Sequence, residues 1–497
     1  MSHGPLLRKL TDQSLVYGVG QAAARALQMV LVPIFTRQFT PAEYGVVDVI
    51  PLVTWFATFL VVMGTDAAIA RLFYEPVDAA ERRTLVSTLA AWRFGVAVLV
   101  ALVLSVFAPV VSRTILQSPD YAKYIRISAW SLPCAVFVVF ETDVLRLTFQ
   151  PWKFFLLNVL QTVGVASLSI LFVVGLHREV AGVLYGRLLG DAIAAVVGLV
   201  LIRHLIVPRF DRAVLAGALR FGLPLLPAGI AFWGISYADR WFLLRFTDLA
   251  GVGVYAVALK LGTLMMFGTS AFQLAWGPFA YAHEHDPDAK SLFARVLTLY
   301  TAVASGLALL LGLFAPELLA WLVPRSYEGA AVPGALLVFG VVAFGGYTVA
   351  GLGTNLARRT INQSIAALAA SLVTVALAWA LVVPLRLVGV ALATLLGFTS
   401  STVILYVLSQ RAYPIPYRGL RALFMFFLAV SLWAASTYAA HVLDPLPGVL
   451  VRLAALAVYA ALAALLSRKR PAGPDGPVTP PGVDILPEPS ATPAERI

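Results

Sequence analysis

The chain has 497 residues, of which 60% are hydrophobic and 12% charged, and its mean hydropathy is +0.87. A water-soluble fold of that length needs far more polar surface, so the composition excludes one and implies a polytopic membrane protein. The net charge of +11 has to be weighed against membrane topology before it is read as a nucleic-acid signal. The lone cysteine, Cys134, excludes an internal disulfide and a thiolate metal cluster, and six scattered histidines argue against a metal enzyme.

The opening segment, MSHGPLLRKLTDQ, is polar and basic, and no small-residue cleavage site closes the apolar run after it. A cytoplasmic N-terminus leading into an uncleaved first span is expected. A helix crosses a hydrocarbon core of about 30 Å in about 20 residues. By that ruler the sequence predicts an all-α protein of about fourteen transmembrane helices, near 15–35, 46–70, 84–112, 124–147, 152–175, 180–207, 221–243, 249–280, 292–314, 330–356, 360–383, 386–409, 420–442 and 447–467. From Arg468 the chain turns Pro-rich and polar, with too few apolar groups for a core, and reads as a disordered cytoplasmic tail over 468–497. No link between spans has room for a soluble catalytic domain.

Basic residues set the orientation. With the N-terminus inside, roughly 21 Lys and Arg fall on inner links (Arg71, Arg82, Arg146 and Arg203 among them) and roughly 9 on outer links such as Arg37, Arg245 and Arg325. Both termini are then cytoplasmic, and much of the basic excess is topological, with no nucleic-acid partner implied.

The first half recurs in the second. FAP at Phe107–Pro109 returns at Phe314–Pro316, and VAGVLYGRLLG at 180–190 aligns with LVGVALATLLG at 387–397, both at an offset of 207. Tyr121 meets Tyr327, and RQFTPAEYGVV from Arg37 aligns with RFTDLAGVGVY from Arg245, placing Gly45 on Gly253. Residues 1–207 therefore read as an N-lobe of spans 1–6 and 208–410 as a C-lobe of spans 7–12, with spans 13 and 14 (411–467) outside the repeat. An even number of spans per unit makes the two six-helix repeats parallel, related by an axis along the membrane normal.

Charges inside spans are costly, by about 2.5–3.5 kcal/mol on insertion scales, and mark function or pairing. Arg25, Arg93 and Lys260 fall at mid-depth of spans 1, 3 and 8; Asp239–Arg240 lies toward the outer end of span 7; Asp66 and Arg71 lie near the inner end of span 2, and Asp48 toward its outer end. Arg187 and Asp191, four apart on span 6, read as a structural pair. Glu141 and Asp143 near the inner end of span 4 are candidates for a coupling proton or cation, with Arg146 a plain partner for Asp143. Pro224 and Pro227 in span 7 and Pro278 in span 8 read as kinks.

LVYGVGQ at 15–21, FTPAEYG at 39–45, ADRWFLL at 238–244, VGVYAVALKLG at 252–262, AFQLAWGPFAY at 271–281 and SQRAYPIPY at 409–417 resemble the polysaccharide-biosynthesis flippases, the lipid-linked-oligosaccharide exporters of the MATE-like MOP superfamily. The resemblance covers about residues 11–420. It implies a MATE-like two-lobe fold in which spans 1, 2, 7 and 8 face a central cavity. It also implies an undecaprenyl-pyrophosphate-linked sugar substrate carried from the inner to the outer leaflet of the bacterial cytoplasmic membrane, with a polysaccharide polymerase and assembly proteins as partners. On that analogy Arg25 and Lys260 hold the pyrophosphate, with Arg93, Asp239, Arg240, Arg71, Asp66, Gln273 and Trp276 lining the cavity, Trp276 as a sugar platform or a packed core residue. No catalytic residue, metal site or cofactor is expected, and coupling to H⁺ or Na⁺ is left open. The rival readings are a cation-coupled drug antiporter of the same fold, a peptidoglycan-precursor flippase and an integral-membrane polymerase.

Overall fold

The computed structural model describes residues 27, 29–74, 78–359, 361–442 and 445–467, without the side chains of 225, 227–236, 440, 441, 445–447 and 467. Arg25, with residues 15–26 and 28 of the expected span 1, and the tail from Arg468 lie outside the described residues. Those described form helices joined by turns and short links, with no strand among them.

In chain order the first half comprises α1 (29–38), α2 (Pro41–Val62), α3 (Thr65–Leu72), α4 (Ala79–Leu116), α5 (Ala122–Leu147), α6 (Pro151–Ile170) and α7 (Glu179–Ile202). A short α8 (Arg212–Gly222) leads into α9 (Leu226–Phe246), α10 (Leu249–Ala282), α11 (Ala289–Leu313), α12 (Ala315–Leu322), α13 (Ala331–Ala350), α14 (Leu352–Leu356) and α15 (Ile361–Ala412). Two helices follow, α16 (Gly419–Val442) and α17 (Pro445–Ser467). Among the described residues eleven helices are long and apolar enough to cross a membrane. One of them, α15, is 52 residues long and takes in both expected spans 11 and 12, breaking after Pro384 at Arg386, whose φ is 47°. Expected span 7 is α9, whose last turns carry Asp239, Arg240 and Arg245.

Two expectations change in detail. Expected span 2 is divided: α2 stops at Met63 and Gly64, both left-handed (φ 47° and 70°), and Asp66 and Arg71 belong to the separate α3. Pro224 and Pro227 interrupt expected span 7 at its very start: the first sits in the 3₁₀ turn Leu223–Leu225 that joins α8 to α9, and the second in the opening turn of α9.

The backbone repeats as the sequence does. Phe149 and Arg358 (φ 54° and 55°) occupy the turns after α5 and α14, and Glu179 and Arg386 (φ 49° and 47°) stand 207 residues apart. The repeat-equivalent glycines Gly182 and Gly389, and likewise Gly190 and Gly397, sit where the fifth and sixth helices of each half cross: a Cβ at Gly182 would stand 3.0 Å from the Phe172 carbonyl carbon, one at Gly389 2.6 Å from that of Leu381. One repeat signal diverges. Pro109 lies within the continuous α4, whereas Phe314–Pro316 ends α11 and starts α12.

The halves meet through α2, α9 and α10. One end of the bundle carries Pro41, Leu249 and Tyr327 and is called the Tyr327 end; the other carries Phe73, Arg146 and Arg203. A core of Tyr255, Leu261, Phe293, Phe339 and Val382 runs through the second half into the first at the Tyr327 end, and a separate core of Leu89, Phe140, Val144, Leu157, Ala194 and Ile202 fills the first half toward the Arg146 end. Helices α16 and α17 pack on α11, and the Trp433 indole donates to Gly312 O at 3.2 Å.

Candidate functional site

The seam between the halves is built from two helix starts. Thr40 caps α2: its hydroxyl accepts from Glu43 N at 3.3 Å while the Glu43 carboxylate accepts from Thr40 N at 2.8 Å, with Pro41 in the first turn. Asp248 caps α10, accepting from Gly251 N at 2.7 Å. The two capped helices cross backbone to backbone at Gly45 and Gly253. A Cβ at Gly253 would overlap the Pro41 carbonyl oxygen and stand 2.9 Å from Gly45 N; one at Gly45 would overlap Leu249 O. These are the residues that the internal repeat aligns, so they touch where a two-fold axis relating the halves must pass. Tyr327 seals the same end, its hydroxyl donating to Phe39 O at 2.9 Å and its ring meeting Tyr44 edge-on at 5.9 Å. Gln117 Nε2 adds a bond to Leu244 O at 3.0 Å.

About 10 Å along α2 from its start, Asp48 reaches the second half. Arg240 Nε lies 3.3 Å from Asp48 Oδ2, and Arg240 Nη1 lies 2.8 Å from Asp239 Oδ2, with the guanidinium 5.5 Å from the Tyr237 ring centroid. One guanidinium thus bridges two carboxylates, one from each half. Lys260 on α10 completes the group: Asp48 attracts its ammonium and Arg240 repels it, and it makes no ion pair within 4 Å among the described residues. The four groups sum to zero charge.

A second polar group lies within the first half. Arg93 on α4 is fully buried; its Nε donates to Thr65 Oγ1 at 2.8 Å, its Nη1 is 3.8 Å from Asp143 Oδ2, and its guanidinium sits 5.2 Å from the Phe140 centroid. Asp66 adds an attraction from the first turn of α3. Arg93 therefore ties α3, α4 and α5 together just past the break in α2. At that break a Cβ on Gly64 would stand 2.7 Å from Gly222 Cα, so α2 and the start of the second half touch again there, about 27 Å along α2 from Gly45. Arg71 lies 5.2 Å from the Phe221 centroid beside this contact.

The remaining residues singled out by sequence are placed elsewhere. Gln273 Nε2 donates to Thr348 Oγ1 at 3.1 Å, and Trp276, 3% exposed, is packed in the second half between Phe272 (6.1 Å, stacked) and Phe293 (5.8 Å, edge-on). Of the proposed cavity set, Asp239, Arg240 and Lys260 come together; Arg93 and Asp66 form their own group. Asp48 had a weaker sequence signal, and its part in the seam rests on a partner 192 residues away.

An apolar cavity of about 270 Å³ opens on the flank of the second half. Tyr300, Val342, Thr402, Val403, Leu420 and Phe426 line it, from α11, α13, α15 and α16. It is separate from the charged group.

The family model described as "Polysaccharide biosynthesis protein" matches residues 34–332, more than half of the chain. The chain belongs to this polysaccharide biosynthesis protein family. No curated protein sequence matches it. Among solved structures it is similar to the lipid II flippase MurJ in an inward closed conformation, with a TM-score of 0.69 at 11% identity, over 90% of this chain and 98% of that one. It is also similar to an inward-facing multidrug resistance MATE transporter of the MOP superfamily (0.60, 15% identity, 78% and 94%). A mutant form of the Vibrio cholerae MATE transporter VcmN follows (0.55, 16% identity, 82% and 97%). At these identities the likeness is one of fold.

Proposed function

We propose that this protein is a flippase for a lipid-linked saccharide. It turns an undecaprenyl-pyrophosphate-linked oligosaccharide from the inner to the outer leaflet of the bacterial cytoplasmic membrane by alternating access, for surface polysaccharide assembly. The observation that carries this reading is Lys260 at the seam of the two halves, a mid-depth cation with no ion-pair partner among the described residues, in a chain of the polysaccharide biosynthesis family. Arg240 is held by two carboxylates, and stranding a buried ion costs about 3–5 kcal/mol, so it is not the group that meets an incoming anion. Lys260 is, as a compact point charge, together with Arg25 on the sequence reading. The cavity beside α16 is apolar and suits the lipid tail, and MurJ, which shares the fold, is named for a lipid-linked substrate.

With both termini cytoplasmic, as the basic residues predict, the sealed Tyr327 end faces outward. An anion of charge about −2 leaving an inside-negative cell gains about 4–5 kcal/mol per 100 mV, enough to drive export without a nucleotide. The sequence has no GxxxxGK[ST] loop, in keeping with a transporter rather than an ATP-driven enzyme. Polymerase and assembly proteins are its expected partners on the outer face.

The test is flipping of a radiolabelled polyprenyl-pyrophosphate oligosaccharide in proteoliposomes under an imposed potential, comparing the native protein with Lys260→Ala and Arg25→Ala. Potential-driven flipping that collapses in correctly inserted variants is expected. Export of organic cations with no flipping of any polyprenyl-linked sugar would replace the reading with a drug antiporter.

A further inference from the structure

Among the described residues the buried acids of the bundle have partners, with one exception. Asp48 and Asp239 hold Arg240. Asp143 holds Arg146 at 2.6 Å and faces Arg93 at 3.8 Å. Asp191 accepts from Gln161 Nε2 at 2.8 Å and lies 3.7 Å from Arg187. Glu141 on α5 is fully buried, and neither of its carboxyl oxygens has a hydrogen-bond partner.

A glycine makes the room that its carboxyl occupies. Gly198 on α7 lies directly against it: a Cβ there would overlap Oε2 and stand 3.0 Å from Oε1. The helices packed on α5 bring other titratable groups, each engaged away from Glu141. These are Arg93 on α4 (with Thr65 and Asp143), Asp66 on α3 (with Arg93), Asp191 and Arg187 on α7 (with each other), and Asp48 on α2 (with Arg240). Lys153, on α6, lies in that helix's first turn. On α5 itself, Asp143 and Arg146 pair, and Cys134, two turns back, senses both Glu141 and Asp191. No cation among them meets the Glu141 carboxyl.

An isolated carboxylate in a low-dielectric interior keeps its charge only with a partner; without one it takes up a proton. A hard metal cation would need a cage of about six oxygens or more. Glu141 supplies two, and no group of three His, Cys, Asp or Glu gathers anywhere among the described residues. We propose that Glu141 is a proton-binding site of the first half, on the seam of α5 and α7. It is neutral in the packing seen here, and it exchanges its proton when α7 moves off and water reaches Gly198. The use of that proton to return the empty carrier rests on the flippase reading; the site itself does not.

Infrared spectroscopy of the purified full-length protein in nanodiscs tests the site without any transport. At neutral pH the wild type minus Glu141→Gln difference spectrum should contain a carboxylic-acid C=O band that shifts in D₂O, and Asp143→Asn and Asp191→Asn should keep it. Gly198→Ala, which presses on the carboxyl, should displace the band, so the test survives if Glu141→Gln does not insert. Carboxylate bands in place of the acid band would overturn the proposal. So would an acid band that Na⁺ removes at fixed pH, since that outcome makes the site a cation site. In proteoliposomes Glu141→Gln should then lose the pH dependence of flipping. An acid band with no flipping in any variant would sink the flippase reading and leave the proton site standing, whereas unchanged pH-dependent flipping in Glu141→Gln would remove the proton's coupling role.

Discussion

Replacing Gly253 by alanine adds one methyl group where α10 crosses α2. The neighbours it meets are all backbone: it overlaps Pro41 O and stands 2.9 Å from Gly45 N, where ordinary Cβ contacts begin at about 3.4 Å. No rotamer change can relieve that, so the helix starts must part by about 0.5 Å at Gly45 and further at Pro41. Overpacking of this kind costs about 1–3 kcal/mol. The whole cost falls on the closed seam, which corresponds to about a 5- to 150-fold shift of the closed–open ratio toward open. The displacement also stretches the Tyr327–Phe39 bond and the Arg240–Asp48 contact, both at the same end. The assay is electron–electron resonance between nitroxides at Arg37 and Arg325, one in each half, in a Cys134→Ser background. Gly253→Ala should move the distribution to longer distances. Gly268→Ala on the same helix has open space at its Cβ and should leave it unchanged. A Gly253→Ala distribution identical to that of the native protein, at unchanged thermal stability, would refute the assignment of the seam as the gate.

Arg240→Ala should strand Asp48 and Asp239 and lower stability by about 3 kcal/mol, read as the thermal midpoint in detergent. Arg240→Lys should recover less than half of that, because a compact ammonium lacks the planar guanidinium whose separate nitrogens reach the two carboxylates. Val403→Trp, on the lining of the 270 Å³ cavity, should slow flipping of long-chain polyprenyl substrates while leaving a short-chain analogue unaffected; equal slowing of both would separate the cavity from the lipid tail.

What sequence could supply was whatever is written in near neighbours or in periodicity. Apolar run length gave the helices, and the alignment of Gly45 with Gly253 pointed to two positions that turn out to touch. The Arg187–Asp191 and Asp143–Arg146 pairs were legible because a helix brings i+3 and i+4 together. Partners on other helices were not. Arg93 has no acid one turn away in sequence, yet Thr65, Asp143 and Asp66 reach it from two other helices. Asp48 finds Arg240 across the seam. Glu141 carries the same lesson in reverse: sequence put it beside Asp143 and Arg146, but its environment is decided by Gly198, whose missing side chain signals nothing until α7 is laid on α5. The division of the second span was also hidden, since Met63 takes a left-handed backbone that its residue type does not favour.

The seam reconciles two demands on a gate, that it hold when closed and open at low cost. The glycine contact supplies short-range dispersion, which fades when the surfaces part by an ångström or less. The ion group works differently. Asp239 and Arg240 are neighbours on α9, so when the halves separate Arg240 leaves Asp48 but keeps Asp239, bonded through both its side-chain nitrogen and its backbone amide. The guanidinium is never stranded, and opening does not incur the full cost of a buried unpaired ion. Asp48 goes with α2 toward the water that opening admits, so neither charge of the pair is left buried and alone.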